Sequence, residues 1–449
     1  MTSFLEAMRW VEEQHSFPED PAHFHGERFA DLARRSDLFR DLPPMVVVTG
    51  SCGKASTARF LAFMLRAAGK RVGLGTKPPL SETPHGHLER YQLIDSLGES
   101  WLEPDLFARI VEPLPKLARG LDPALGPLAP YDMRTWILLR AFAEWKVDVG
   151  IVEANIGLRR DPAGAIPAAL TMVTPIATDH AQMLQAPPEW QHLGVASGPL
   201  WHKLSAVPSK RVVVGRQPSI SEEELDRLMD RDGPRFGRDF ELREVSSGLW
   251  GSRGVLTQGG RETTLELSCL GDFQLENAAT AAVALAQLEG ENAAAVLRGA
   301  AECQIPGRLE VMGREPLQLL CVASSKPKVQ AMLDSLEPLF ENPESGMVLV
   351  CTLLDRIHGV DEVVRYLATH PRLRAMVVTE GSYTDDSKDL PAEGVALAAG
   401  QARAGLQVET ELEPGRAIER GKALVGRDGL LLLLGNGLAA YASESLTSR

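Results

Sequence analysis

A β-branched run, Met45-Val46-Val47-Val48-Thr49, breaks into the turn Gly50-Ser51-Cys52-Gly53 and continues at once as Lys54-Ala55-Ser56-Thr57. No other feature limits the fold so tightly. Apolar residues over 54–65 recur at three- and four-residue spacing, as on an amphipathic helix, and a second short strand pattern follows at 71–76. Strand, tight turn, helix and strand together predict the opening of a doubly wound α/β domain. In that setting the turn reads as a phosphate loop. Its backbone N–H groups converge on phosphate oxygens, and the helix N-terminus adds positive potential. The expected nucleotide contacts are Gly50, Ser51, Cys52, Gly53, Lys54, Ala55, Ser56 and Thr57. Lys54 would reach the β/γ-phosphates, and a hydroxyl from Ser56 or Thr57 would meet Mg²⁺. Val48 stands where the longer loop consensus has its first glycine. Cys52 is read as contributing its amide, with a redox role for the thiol the weaker reading.

The remainder of the 449 residues is long enough for two or three domains. Residues 1–44 read as polar and helical, and 77–100, rich in Pro, His, Gly and Ser, as a long loop. Helices are expected at 102–119, 133–145 and 191–205, and strands at 148–153, 170–174 and 211–214. Alternation over 239–268 predicts antiparallel strands, followed by helices at 274–288 and 292–303. A second pattern then begins, with strands at 317–323, 347–352, 375–379 and 429–434 alternating with helices at 327–339, 360–369, 391–404 and 415–425. Such alternation predicts a smaller, Rossmann-like α/β domain with a mostly parallel sheet. The expected division is 1–303 and 304–449, with a hinge at 304–308.

Composition removes several function classes. Forty-seven basic against 60 acidic side chains leave a charge of −13, which opposes nucleic-acid backbones and anionic lipid alike. The five cysteines form no CxxC pair and no Cys/His ligand spacing, so neither a zinc site nor a disulfide framework is expected. The His23/His25 and His85/His87 pairs read as polar loop residues. The N-terminus lacks a signal-peptide pattern, and the apolar run 430–434 is far short of a membrane span. The expectation is a cytoplasmic protein with no membrane or nucleic-acid partner.

Beyond the loop, several segments recur in a familiar order. Gly69-Lys70-Arg71-Val72-Gly73-Leu74 and Thr76-Lys77-Pro78-Pro79-Leu80 follow the turn. Then come VGIVEANIGLRRD over 149–161, Ala177-Thr178-Asp179-His180, LGDFQLENAA over 270–279 and PGRLEV over 306–311. Together these resemble the folylpolyglutamate synthase/dihydrofolate synthase branch of the Mur ligase superfamily. The resemblance implies an ATP-dependent ligase: a substrate carboxylate is phosphorylated, and an amine attacks the acyl phosphate to form an amide. It also implies roles. Glu153 and His180 would bind one or two Mg²⁺ ions, and Asn277, Arg308 and Asp355 would contact the nucleotide. Lys203 matches the family's carbamylated lysine, with a surface lysine whose head reaches water the competing reading.

The pattern also departs from that family. Its Asp-Gly-Ala-His-Asn-Pro signature is replaced by Val322-Ala323-Ser324-Ser325-Lys326-Pro327. Trp201-His202 stands where an Arg-Glu pair is usual, and Lys77 where a metal-ligating serine is usual. Lys77 would replace one metal, bind a substrate carboxylate or point to water. Only 44 residues precede the first strand, which disfavours a muramyl nucleotide substrate. The resulting expectation is a ligase joining a small carboxylic acid, folate-like or specialised, to an amino acid or amine. The alternative is a catalytically impaired nucleotide-binding paralogue that serves an active ligase as protein partner.

Overall fold

A computed structural model describes residues 3–13, 26–77, 86–178, 184–191, 197–229, 231–340, 346–353, 360–381, 389–427, 429–439 and 441. The apolar run at 45–49 becomes strand β1 (Met45–Thr49), buried along its whole length. Such a strand needs cover on both faces, which a parallel sheet between helices provides. Around it lie β2 (Val72–Gly75), β3 (Tyr91–Asp95), β4 (Gly98–Trp101), β5 (Val149–Glu153), β6 (Ala168–Val173) and β7 (Val212–Val214), in the order β4-β3-β2-β5-β1-β6-β7. Strands β2, β5, β1, β6 and β7 run parallel, and β3 and β4 are antiparallel additions at one edge. Helix Lys54–Ala67 covers one face, together with Asp272–Glu289 and Ala293–Glu302, in a core built from Phe60, Leu61, Met64, Ala278 and Leu285. The other face packs Trp136, Ile137 and Phe142 of helix Pro130–Trp145 against Met45 and Val47.

A three-stranded antiparallel sheet follows: β8 (Phe240–Gly248), β9 (Gly251–Gln258) and β10 (Arg261–Leu267). The last sheet contains β11 (Arg308–Arg314), β12 (Leu317–Cys321), β13 (Met347–Cys351), β14 (Leu373–Val378), β15 (Gln407–Thr410) and β16 (Leu430–Leu434). Its order is β11-β12-β16-β13-β14-β15, parallel except for β11. The protein is thus a two-domain α/β structure, as its pattern predicts. No helix among the described residues is long and apolar enough to cross a membrane.

Three expectations need correction. Residues 91–101 are not loop but the β3–β4 hairpin. The polar composition of the wider segment hides this short run, in which Tyr91, Gln92, Leu93 and Ile94 are all buried. The segment 102–119 is two helices, Pro104–Val111 and Leu114–Arg119, because Pro113 has no N–H to continue the first. Strands β11 and β15 escape the sequence reading because each is an edge strand with little continuous apolar surface.

Candidate active site

Parallel strands deliver their C-terminal ends to one crevice, the common ligand position in open α/β sheets. Here β1, β2, β5 and β6 meet. Val48 lies in register with Glu153, Gly75 with Val152, and Thr49 with Val173. The turn after β1, the carboxylate ending β5 and the residues after β2 and β6 therefore become neighbours.

The turn depends on two glycines. Gly50 has φ +135°, and a Cβ there would lie 2.7 Å from the Thr174 carbonyl. Gly53, at φ +76°, caps helix Lys54–Ala67, and a Cβ there would lie 2.4 Å from Asn277 Oδ1. Both positions suit glycine alone. The amides of Ser51 and Cys52 do not point outward as expected; both donate to the Pro175 carbonyl, at 2.8 and 3.1 Å. The helix start supplies the remaining donors, because the N–H groups of Lys54, Ala55 and Ser56 have no partner within the helix. Ser56 and Thr57 are buried; Thr57 Oγ1 donates to Asn277 Oδ1 at 3.2 Å, and Asn277 Nδ2 donates to Gln274 at 3.0 Å. Asn277 thus braces the loop.

Lys54 folds back, its Nζ donating to the Gly50 carbonyl at 3.0 Å and standing 3.9 Å from Glu153 Oε1. The other Glu153 oxygen accepts the Lys77 N–H at 3.1 Å. The Lys77 ammonium turns to Asn155, donating to its backbone and side-chain oxygens at 3.2 Å each, and lies 5.7 Å from the Tyr131 ring centre. Among the described residues no carboxylate lies within ion-pair distance of it. Burial pushes this ammonium down to about 8, and the Glu153 carboxylate resists that shift. Asn155 is held in turn by Asp161, a fully buried carboxylate that accepts the N–H groups of Asn155, Ile156 and Ala163 at 2.6, 3.0 and 3.0 Å.

On the other flank, Lys203 is buried, not a surface lysine, and its Nζ donates to Ser51 Oγ at 2.8 Å. Ser51 Oγ also accepts the Ala177 N–H at 2.8 Å. Neighbouring His202 is buried, and that burial pushes its imidazole down to about 4. Arg308 opens β11 and reaches across the lobes, donating to the Lys77 carbonyl at 3.4 Å and to Pro306 at 2.9 Å. Buried Arg59 ties Glu99 and Gln92 to the Gln304 carbonyl, in the segment that leads to β11.

The structure therefore brings together the 50–57 turn, Glu153, Lys77, Lys203, Asn277 and Arg308. His180, with Asp179, and Asp355 lie outside the described residues. The sequence reading missed Arg90 and Arg134, which line the cleft beside Thr76, Lys77, Glu153 and Asn155. It also assigned no role to Asp161, the last residue of the 149–161 segment, just before Pro162. The oxygen donors here are of the kind Mg²⁺ takes. Glu153 and Ser56 would hold it, and nucleotide phosphates and water would supply the other oxygens, as is usual for this ion. Among the described residues no three His, Cys, Asp or Glu side chains cluster to form an all-protein cage.

No protein-family model matches the chain. It is 29% identical over 305 residues to a probable bifunctional folylpolyglutamate synthase/dihydropteroate synthase of Halobacterium salinarum, covering 66% of this chain and 35% of that protein. It thus spans about a third of that relative's length. It is 29% identical over 408 residues to a dihydrofolate synthase/folylpolyglutamate synthase of Mycobacterium tuberculosis, covering 85% of this chain and 79% of that one. The fold matches the structure of Mycobacterium tuberculosis folylpolyglutamate synthase complexed with ADP. The TM-score is 0.81 at 24% identity, over 99% of this chain and 98% of that one.

Proposed function

Because this chain is a folylpolyglutamate synthase-like member of the Mur ligase superfamily, we propose that it is an ATP- and Mg²⁺-dependent ligase joining a carboxylic acid to an amino acid or amine. The acid is folate-like or a specialised relative. The observation that carries the reading is Lys54 Nζ facing the Glu153 carboxylate at 3.9 Å over the ends of two adjacent parallel strands. A carboxylate is a poor electrophile, so one oxygen must become a phosphate leaving group before an amine can attack. Charge then gathers on the transferred phosphoryl oxygens and has to be met by fixed positive groups.

In this proposal Lys54 and the amides of the helix start meet the phosphates, and Gly50 and Gly53 let the backbone approach them. Asn277 holds that turn in place. Glu153, with Ser56, holds the divalent ion, which when bound neutralises phosphate charge. Arg308 brings a guanidinium from the second lobe, with the division placed at residues 304–308, and its reach to Lys77 supports a role in closing the crevice. His180 and Asp355 keep their proposed metal and nucleotide roles. Lys203 is the residue we assign to carbamate formation; its burial beside Ser51 supports a role at the loop. Incubation with ¹³C-labelled carbonate would give a carbamate carbon resonance that Lys203→Ala lacks.

The deciding experiment measures phosphate release from MgATP with a panel of acids and amines that includes folate, dihydropteroate and glutamate. Turnover with any pair, and an amide product by mass spectrometry, is expected. Tight ATP binding with no turnover across the panel would sink the ligase reading and leave the non-catalytic paralogue.

A further inference from the structure

We propose that Leu309 is a positioning residue for Arg308: its left-handed backbone makes the bulge in β11 that aims the Arg308 guanidinium at the first lobe. The inference rests on the nucleotide role given to Arg308 above and concerns how that side chain is held there.

The backbone carries the first argument. Leu309 has φ +58°. L-residues reach this region only at a cost, because Cβ crowds the carbonyl oxygen that follows. The ladder shows what the conformation does. Arg308 lies in register with Cys321 and Glu310 with Leu320, so Leu309 is an extra residue in β11 with no partner in β12. A bulge with a left-handed residue ordinarily carries glycine there; it bends the strand and re-aims a neighbouring side chain.

The flanking bonds give the second argument. Gly307, at φ +65°, donates its N–H to Glu310 Oε2 at 2.7 Å, and its carbonyl accepts the Val322 N–H at 2.9 Å. These bonds close the chain around Arg308. From that knuckle the guanidinium donates to the Pro306 carbonyl at 2.9 Å and to the Lys77 carbonyl at 3.4 Å.

The third argument is why a leucine is tolerated. Its side chain is 2% exposed and belongs to the buried cluster of Leu270, Leu319 and Cys321. Burial of the side chain offsets the cost of the backbone. The two parts of the residue are therefore separable: the side chain anchors the strand, and the backbone aims Arg308.

The test separates them by calorimetric titration of the full chain with Mg²⁺ and the non-hydrolysable analogue AMPPCP. Isoleucine keeps the volume, but its β-branch resists a positive φ and flattens the bulge. Glycine removes the side chain and keeps the left-handed turn without strain. Leu309→Ile is expected to weaken binding about tenfold, as Arg308→Ala does, the scale of losing a hydrogen bond from a charged group. Leu309→Gly is expected to bind as the wild type does. Adding Leu309→Ile to Arg308→Ala is expected to cost nothing further, because both remove the same contact. A residue that only packs the core gives the reverse order, with Leu309→Gly impaired and Leu309→Ile unaffected, and that result would overturn the proposal. Additive losses in the double variant would overturn it as well, and that arm does not need the glycine variant to fold. Wild-type affinity in Arg308→Ala would remove the nucleotide role of Arg308 and this proposal with it, an outcome distinct from failure of the Leu309 arms alone.

Discussion

Replacing Lys77 by methionine should remove a specific pH dependence from the stability of the N-terminal lobe. In the native state the ammonium titrates near 8 because burial disfavours its charge; in the unfolded chain it titrates at the ordinary 10.5. Below pH 8 both states carry the proton. Between 8 and 10.5 the unfolded chain holds it and the native protein does not, so stability rises with pH across that window. Each pH unit of separation is worth about 1.4 kcal/mol, so the full effect is about 3 kcal/mol. By about pH 9.5 roughly 2 kcal/mol of it has developed. Methionine is similar in length and carries no proton. All seven tryptophans precede residue 303, so their fluorescence reports this lobe alone. Urea unfolding of both proteins followed by that signal at several pH values between 7 and 9.5 gives the difference directly. Lys70, whose pKa is raised by its hydrogen bond to Glu289, works in the opposite direction but is present in both proteins and cancels. The wild type should gain roughly 2 kcal/mol relative to the variant across that range. A difference flat to within about 0.5 kcal/mol would refute the reasoning, because Lys77 would then titrate as it does in water.

Further outcomes follow from the same geometry. Lys54→Ala should lower MgATP-dependent phosphate release by about 10²–10³-fold, as expected for losing one fixed positive group at developing charge, and full retained activity would remove Lys54 from the site. Gly53→Ala forces a Cβ into a left-handed turn 2.4 Å from Asn277 Oδ1. It should weaken AMPPCP binding in calorimetry and cost about 1–3 kcal/mol of stability in urea unfolding. Asp161→Ala leaves three backbone donors buried without their acceptor. It should cost about 3 kcal/mol by tryptophan-monitored unfolding, and a loss below about 1 kcal/mol would show that water satisfies those amides.

Much of this protein was legible along the chain because the physics behind it is local. The valine run, the two glycines at Gly50 and Gly53 and the helix spacing after Lys54 are dictated by backbone sterics and burial within some twenty residues. They specify strand, turn and helix whatever surrounds them. The doubly wound pattern of both lobes is legible for the same reason, since each buried strand reads as a short apolar run. The edge strands β4, β11 and β15 were not, because strands at a sheet edge need little apolar surface of their own.

What the tertiary structure alone decided is who meets whom. Glu153 faces Lys54 because β5 lies beside β1, and the sequence between them says nothing of that neighbour relation. Lys203 looks like a surface residue until helix Ser197–Leu204 packs it against Ser51. Lys77 had three open readings in the sequence, and only the placement of Asn155, Arg90 and Arg134 gives it surroundings against which they can be judged. Local propensities and burial patterns act over a few residues and survive in the linear chain. The electrostatics of a crevice is a sum over groups brought together from distant positions, and it exists only once the sheet has fixed their order.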